Sequence, residues 1–308
     1  MTASSSGTPV HSVRGAVRDA AALLAEAGVP SPDVDARLLA EHVLADHLAG
    51  RPLALAPDLA ALPGGGADLL AEYAELVARR AAREPLQHLT GVMYFRHLAL
   101  PARPGVFVVR PETESLVDEA LALLSRIAGS GPARVVDLCT GSGAIALALA
   151  TERPGTHVHA VELSPVAARA AAASAESHAA ELAAVGSAVT VVAGDATDAA
   201  VLAHLDGTVD LVVANPPYIP DDAVPRDPEV RDHDPELALY GGGEDGLDVP
   251  ARVLARAWAL ARPGAAVVLE HAEVQGAALR ALASAAGFTD ARTALDPAGR
   301  ERHLIAHR

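Results

Sequence analysis

Val135-Val136-Asp137-Leu138-Cys139-Thr140-Gly141-Ser142-Gly143 runs from an apolar strand into a glycine turn, and Ala144–Glu152 beyond it reads as a helix. A strand that is mostly apolar on both faces belongs inside a parallel sheet covered by helices. Gly141 and Gly143 let the backbone turn tightly and approach a ligand without a Cβ in the way. Outward from this stretch, strands and helices alternate. Strands are predicted at Arg134–Leu138, His157–Glu162, Val189–Ala193, Val209–Ala214, Ala265–Glu270 and His303–Ala306; helices are predicted at Pro165–Ala184, Val249–Ala261 and Gln275–Ala286. Such alternation with short connections gives right-handed crossovers and a doubly wound, Rossmann-like α/β sheet. Ligands of these sheets bind beyond the carboxyl ends of the strands.

Ahead of the alternation lie three helical patterns. Val10–Ala27 stops at Gly28, and Ser31-Pro32-Asp33 supplies an N-cap, a first-turn Pro and an acid for a second helix from Val34 to about Leu48. After the breaker-rich stretch Pro52–Gly66, Ala67–Arg83 sets Leu69, Leu70, Tyr73, Leu76 and Val77 on one helical face. The expected organisation is a small helical domain over residues 1–85, a linker over 86–110 and a catalytic domain over 111–308. The linker holds a β-hairpin made of Met93–Phe95 and Val106–Val109. Glu112–Ile127 reads as a helix, with a turn at Gly129-Ser130-Gly131-Pro132.

The 308 residues are 51% hydrophobic but only 3% aromatic, so the core is built from Ala, Leu and Val. The formal charge is −15 and all 24 basic residues are Arg. Without Lys there is no P-loop lysine and no Schiff-base chemistry. The acid excess argues against nucleic acid as a direct substrate. Cys139 is the only cysteine, which rules out an internal disulfide and fits a reducing cytoplasm. Met1–Gly15 lacks the apolar core of a signal peptide, and apolar runs such as Ala144–Ala150 are too short to span a bilayer. A cytoplasmic monomer without a membrane anchor is the expectation.

At the glycine turn, Gly141-Ser142-Gly143-Ala144-Ile145-Ala146 also fits a relaxed dinucleotide fingerprint, with Glu162 where a ribose-binding acid is expected. Asp137 favours S-adenosylmethionine instead, because its carboxylate suits a cationic methionine moiety and repels a pyrophosphate. Asp195, in Gly194-Asp195-Ala196, either meets the adenine region or N-caps a helix. Asn215-Pro216-Pro217-Tyr218 follows the strand Val209–Ala214. Asn215 offers a side-chain carbonyl and Pro216 a main-chain carbonyl, neither Pro has a competing N–H, and Tyr218 offers a flat face. Two acceptors on the N–H bonds of an amide or aryl amine favour a pyramidal nitrogen and aim its lone pair at a methyl donor. The competing readings are a nucleobase amine as acceptor, a nicotinamide oxidoreductase, and a cofactor-binding module without catalysis.

At these residues the chain resembles the HemK/PrmC family, the release factor glutamine N5-methyltransferases, over nearly its full length. The resemblance is carried by residues 27–36 (AGVPSPDVDA), Pro85-Leu86-Gln87-His88-Leu89-Thr90-Gly91, Arg110-Pro111-Glu112-Thr113-Glu114, Asp137–Gly143 and Asn215–Tyr218. It continues through Glu236-Leu237-Ala238-Leu239, Gly246-Leu247 and Leu269-Glu270-His271, in the family's order. It implies methyl transfer from S-adenosylmethionine to the glutamine of the Gly-Gly-Gln tip of peptide chain release factors, with the helical domain recognising the substrate. By the same resemblance Asp137, Cys139, Thr140, Gly141, Ser142, Gly143, Glu162, Asp195, Ala196 and Asn215 line the cofactor. Asn215, Pro216, Pro217 and Tyr218 hold the glutamine, with Asn215, Pro216 and Tyr218 as the catalytic set. Cys139 stands where the family usually has Gly, Ala196 where some members place an aromatic, and Asp234-Pro235 replaces a common Glu-Pro.

Other residues draw plainer readings. His157 and His159 share a strand face without a third ligand, so no metal site is expected. Arg79, Arg80 and Arg83 read as a solvated helix face, and Glu112 and Glu114 as residues of a helix start. Ile219–Gly246, long and poor in periodicity, reads as a lid over the substrate.

Overall fold

The computed structural model describes residues 12–48, 66–128 and 131–308. Two compact units result, one from Met1–Gly91 with Asp227–His233, the other from Val92–Arg226 with Asp234–Arg308. The helices in chain order are α1 (Val13–Glu26), α2 (Pro32–Val43), α3 (Ala45–Leu48), α4 (Ala67–Ala81), α5 (Leu86–Thr90), α6 (Thr113–Ile127), α7 (Ala144–Glu152), α8 (Pro165–Ser177), α9 (Ala179–Ala184), α10 (Pro228–His233), α11 (Asp248–Leu260) and α12 (Gly276–Ala286). The strands are β1 (Val92–Phe95), β2 (Leu98–Pro101), β3 (Ala133–Leu138), β4 (Thr156–Glu162), β5 (Ala188–Ala193), β6 (Val209–Ala214), β7 (Ala261–Glu270), β8 (Thr289–Leu295) and β9 (Glu301–His307). The start of the first predicted helix, the stretch 52–65 and the turn at 129–130 lie outside the described residues.

In the smaller unit Leu24, Leu39, Tyr73, Leu76 and Val77 meet in one core. Ser12 caps α1 by accepting the Gly15 N–H at 3.2 Å. Ser31 occupies the corresponding position before α2 but makes no capping bond with its side chain. The second helix does not run unbroken to Leu48; it divides at Leu44 into α2 and α3. The third stops at Ala81, because Arg83 turns into the left-handed region at φ 69°. Nor are Arg80 and Arg83 a solvated face. Arg80 is buried and pairs with Asp35 at 2.7 Å and Glu229 at 2.8 Å, and Arg83 pairs with Glu229 at 2.6 Å. These partners lie far off in sequence, out of reach of any local pattern.

In the larger unit the predicted hairpin is real, but its second strand is β2, which pairs antiparallel with β1. Val106–Val109 forms no strand. Pro104 and Gly105 (φ 83°) break the extended path, and the Val108 N–H meets a carboxylate oxygen of Asp234 at 3.5 Å instead of a ladder carbonyl. Among the described residues the main sheet has seven strands in the order β5-β4-β3-β6-β7-β9-β8. From β5 to β7 it is parallel; β9 runs antiparallel to β7 and β8 antiparallel to β9. Side chains alternate across it. Val135 and Val213 join Leu116 and Leu147 on one face, while Val136 and Val212 join Leu254 and Phe288 on the other. Residues Ala144 to Ala150 of α7 are all buried, which explains a helix with no polar stripe. Edge strand β8 escapes the sequence pattern because its residues are largely exposed and its register slips twice. The chain order reverses between β3 and β6, and the carboxyl ends of those neighbours flank the switch point where such sheets bind ligands.

Candidate active site

The turn after β3 places three residues in the left-handed region: Cys139 (φ 65°), Gly141 (φ 60°) and Gly143 (φ 85°). A Cβ at Gly141 would meet nothing within 4 Å, so this backbone borders open space; one at Gly143 would lie 3.4 Å from Ala171 Cβ on α8. Asp137 is fully buried. Its Oδ2 accepts the Thr140 hydroxyl at 2.5 Å, and the Ala146 backbone N–H also acts on the carboxylate. Burial pushes the Asp137 carboxyl up to about 7, against the pull of Thr140. Glu162, at the end of β4, accepts the N–H of Gly141 and the N–H of Ser164, each at 2.8 Å. Burial raises its pKa as well, opposed by those backbone donors. Burial and the nearby Glu162 charge push the Cys139 thiol up, so it stays protonated and unreactive.

Asp137, Thr140, Gly141 and Glu162 therefore come together. Ser142 is buried in the same turn. Asp195 is exposed, and its Oδ1 accepts the N–H and the hydroxyl of Thr197 at 2.8 and 2.7 Å. These bonds lower its pKa and close a turn; no helix follows for it to cap. Ala196 is buried and packs in the core with Leu202 and Leu205. The open backbone at Gly141 and the neighbouring Glu162 fit a ligand carrying hydroxyl groups, and the buried Asp137 carboxyl behind the turn favours a cationic one. Two buried carboxyl groups are a poor setting for a pyrophosphate.

Asn215–Tyr218 leaves the end of β6. Asn215 Nδ2 donates to Thr113 Oγ1 at 3.4 Å. Pro216 is buried, and its carbonyl accepts no hydrogen bond among the described residues. The rest of the tetrapeptide is firmly held. The N–H groups of Tyr218 and Ile219 both donate to the Leu239 carbonyl, at 3.1 and 2.8 Å. The Tyr218 carbonyl accepts Gln275 Nε2 at 2.8 Å, and the same nitrogen donates to the Asp245 carbonyl. A Cβ at Gly241 would fall 2.7 Å from the Pro217 carbonyl oxygen and 2.1 Å from that of Gly246. Ile219 and Tyr240 form a β-bridge. The stretch read as an irregular lid thus contains α10 and a segment, 239–246, packed against the backbone of the tetrapeptide. Burial, with the Glu270 charge adding to it, pushes the Tyr218 phenol well above its usual range.

Three polar residues that motif reading did not assign to the site close it from behind. Thr113 opens α6, Glu270 ends β7, and His303 stands opposite Glu270 on β9. All three are buried. Glu270 is pushed up to about 7 by burial, against the hydrogen bonding of Thr113 and Asn215. His303 Nε2 lies 2.7 Å from Ser115 Oγ, and burial holds this imidazole down at about 4. The signal was present as Leu269-Glu270-His271, an acid ending an apolar strand beside Asn215. Of the two helix-start acids, Glu112 pairs with Arg300 at 3.0 Å and Glu114 accepts the Arg96 N–H at 2.9 Å.

Residues 98–227 match the methyltransferase small domain, and residues 64–91 match the PrmC N-terminal domain. A release factor glutamine methyltransferase of Bifidobacterium longum is 44% identical over 292 residues, covering 94% of this chain and 97% of that protein. One from Streptomyces coelicolor is 50% identical over 262 residues, covering 84% of this chain and 85% of its own. One from Deinococcus radiodurans is 42% identical over 297 residues, covering 96% and 98%.

Proposed function

Because this chain belongs to the release factor glutamine methyltransferase family, we propose that it methylates the side-chain amide nitrogen of the Gly-Gly-Gln glutamine in peptide chain release factors, using S-adenosylmethionine. The observation that carries the chemistry is the pair of acceptors at the end of β6: an anchored Asn215 amide and a Pro216 carbonyl that accepts no hydrogen bond among the described residues. An amide nitrogen is a poor nucleophile because its lone pair is delocalised into the carbonyl. Asn215 Oδ1 and the Pro216 carbonyl each accept one N–H of the substrate amide and favour the pyramidal geometry that frees the lone pair. Tyr218 lies flat against the planar amide. Orientation of this kind is worth up to ~7–11 kcal/mol when the reacting atoms are held near attack distance. No strong base is required, since an alkylated amide nitrogen is acidic and sheds its proton readily.

S-adenosylmethionine supplies an electrophilic methyl group on a sulfonium. Asp137 faces the cationic methionine portion, Glu162 accepts the ribose hydroxyls, and Gly141 and Gly143 let the backbone come close. Asp195 borders the adenine. The helical segment 1–85 recognises the release factor. The work takes place in the cytoplasm, where release factors act; among the described residues no helix is long and apolar enough to cross a membrane.

The test is direct. Purified protein, release factor and isotope-labelled S-adenosylmethionine are incubated, and the modified peptide is located by mass spectrometry. One methyl group on the Gly-Gly-Gln glutamine is expected. No label on the release factor, with cofactor demonstrably bound, contradicts the proposal.

A further inference from the structure

The two ends of the Asn215 amide have nearly the same shape, yet only the carbonyl end can accept a substrate N–H. A flipped amide would present a donor to a donor. The surroundings decide which way round it sits. Nδ2 donates to Thr113 Oγ1 at 3.4 Å. Thr113 is fully buried, and its hydroxyl and the Asn215 amide are the hydrogen-bonding groups that act on Glu270. Glu270 is only 2% exposed, and its Oε2 has no hydrogen-bond partner among the described residues. A buried carboxyl with a free oxygen is costly unless it serves a purpose. Neither the cofactor site nor the substrate acceptors use it.

Resting on the reading of Asn215 as a substrate holder, we propose that Glu270 and Thr113 are positioning residues that lock the Asn215 amide with its carbonyl toward the substrate nitrogen. The ionised Glu270 carboxylate only accepts, so it draws the Asn215 NH₂ and the Thr113 hydroxyl proton to its own side. Protonated, the same carboxyl becomes a donor and competes for Oδ1, which frees the amide to flip.

Several charged and titratable groups face Glu270. Arg302 acts on it from β9, Glu112 from the head of α6, where it pairs with Arg300, and Tyr218 from the turn after β6; His303 stands opposite it on β9, and His271 is the next residue in its own chain. His303 is held down at about 4 and His271 is also lowered, both chiefly by burial. Tyr218 is raised. The titration of the lock near neutrality therefore belongs to Glu270, whose own carboxyl is raised to about 7.

The experiment measures kcat at saturating S-adenosylmethionine from about pH 5.5 to about pH 9 for the wild type, Glu270→Gln, Thr113→Val and Asn215→Ala. Saturation removes any contribution of Asp137 to cofactor affinity. In the cofactor-free protein, the Asn215 side-chain NH₂ resonance is followed over the same range, assigned by its loss in Asn215→Ala. Wild-type kcat should rise to a plateau with an apparent pKa near 7, and the Asn215 resonance should shift with the same midpoint. Glu270→Gln should flatten both profiles and lower the plateau about 10–100-fold, the worth of one hydrogen bond to a charged group. Cofactor affinity by calorimetry should stay within about 3-fold. Thr113→Val should lower kcat in the same way and serves as the test if Glu270→Gln does not fold. Wild-type kcat and pH profile in Glu270→Gln, or an unmoved Asn215 resonance and kcat in Thr113→Val, overturns the lock. Full transfer by Asn215→Ala is a separate outcome: it removes the substrate-holder reading and the lock with it.

Discussion

Asp137 shows how one buried side chain links the cofactor to pH. Burial raises its carboxyl to about 7, so near neutrality the group is divided between two protonation states. A cationic ligand binds the ionised form, so affinity for S-adenosylmethionine should fall as pH drops below about 7, approaching tenfold per pH unit, and level off above it. Calorimetry across this range tests it; a flat profile counts against Asp137 facing the cation. Asp137→Asn should weaken binding and abolish the slope. For the cofactor-free protein the sign is opposite. The unfolded chain releases this proton from about pH 4 upward and the folded chain keeps it to about 7, so the group's contribution to stability declines over that window. The residue scale is also where sequence reading was least complete. The convergence of Asp137, Thr140, Gly141 and Glu162 was legible because strand-end motifs place them side by side. Cys139 takes up a left-handed backbone of the kind that favours Gly, and only the dihedral angle reveals it. Glu270 gains its meaning from Thr113 on a distant helix, and no local pattern carries that pairing.

At the scale of elements, β3, α7 and β6 were readable because an apolar strand, a glycine turn and a buried helix each leave a local signature. Val106–Val109 looked like a strand because its residues are apolar and β-branched or aromatic. Pro104 and Gly105 overrode that preference, and burial of Val106 and Val108 without a ladder accounts for the apolar pattern. The segment 239–246 was the reverse case, a stretch with no periodicity that packs tightly through backbone contacts. Gly241 is its most constrained point, since a Cβ there would sit 2.1 and 2.7 Å from two carbonyl oxygens. Gly241→Ala should force the segment away from the tetrapeptide, cost about 1–3 kcal/mol of stability as overpacking does, and lower kcat more than cofactor affinity. Thermal unfolding and calorimetry together check this; an unchanged melting temperature with full activity would show that the segment does not brace the site.

Across the whole molecule, strand–helix alternation was enough to read the doubly wound sheet, and cap signals with one-face apolar spacing were enough to read the helices ahead of it. The inclusion of Asp227–His233 in the helical unit was hidden, because Glu229 lies 149 residues from Arg80 and 146 from Arg83 in sequence. Burial alone would raise the Glu229 carboxyl, but the Arg83 and Arg80 guanidinium groups outweigh it and hold the value at about 2. The stability this pair adds is present above the ordinary glutamate value of about 4.3 and is lost as pH falls from there toward 2. Glu229→Gln should therefore destabilise the protein at neutral pH by about 1–3 kcal/mol and flatten its acid sensitivity, read by circular dichroism during denaturation. Wild-type stability in that variant would contradict the pairing. The central claim, that the Asn215 and Pro216 carbonyls present the substrate amide for methylation, is tested most directly by Asn215→Ala assayed on an intact release factor. The account predicts a kcat lower by about 10²–10³-fold, the usual loss for one group that stabilises the reacting centre, with S-adenosylmethionine bound as tightly as before. Methylation of the release factor at the wild-type rate would contradict it.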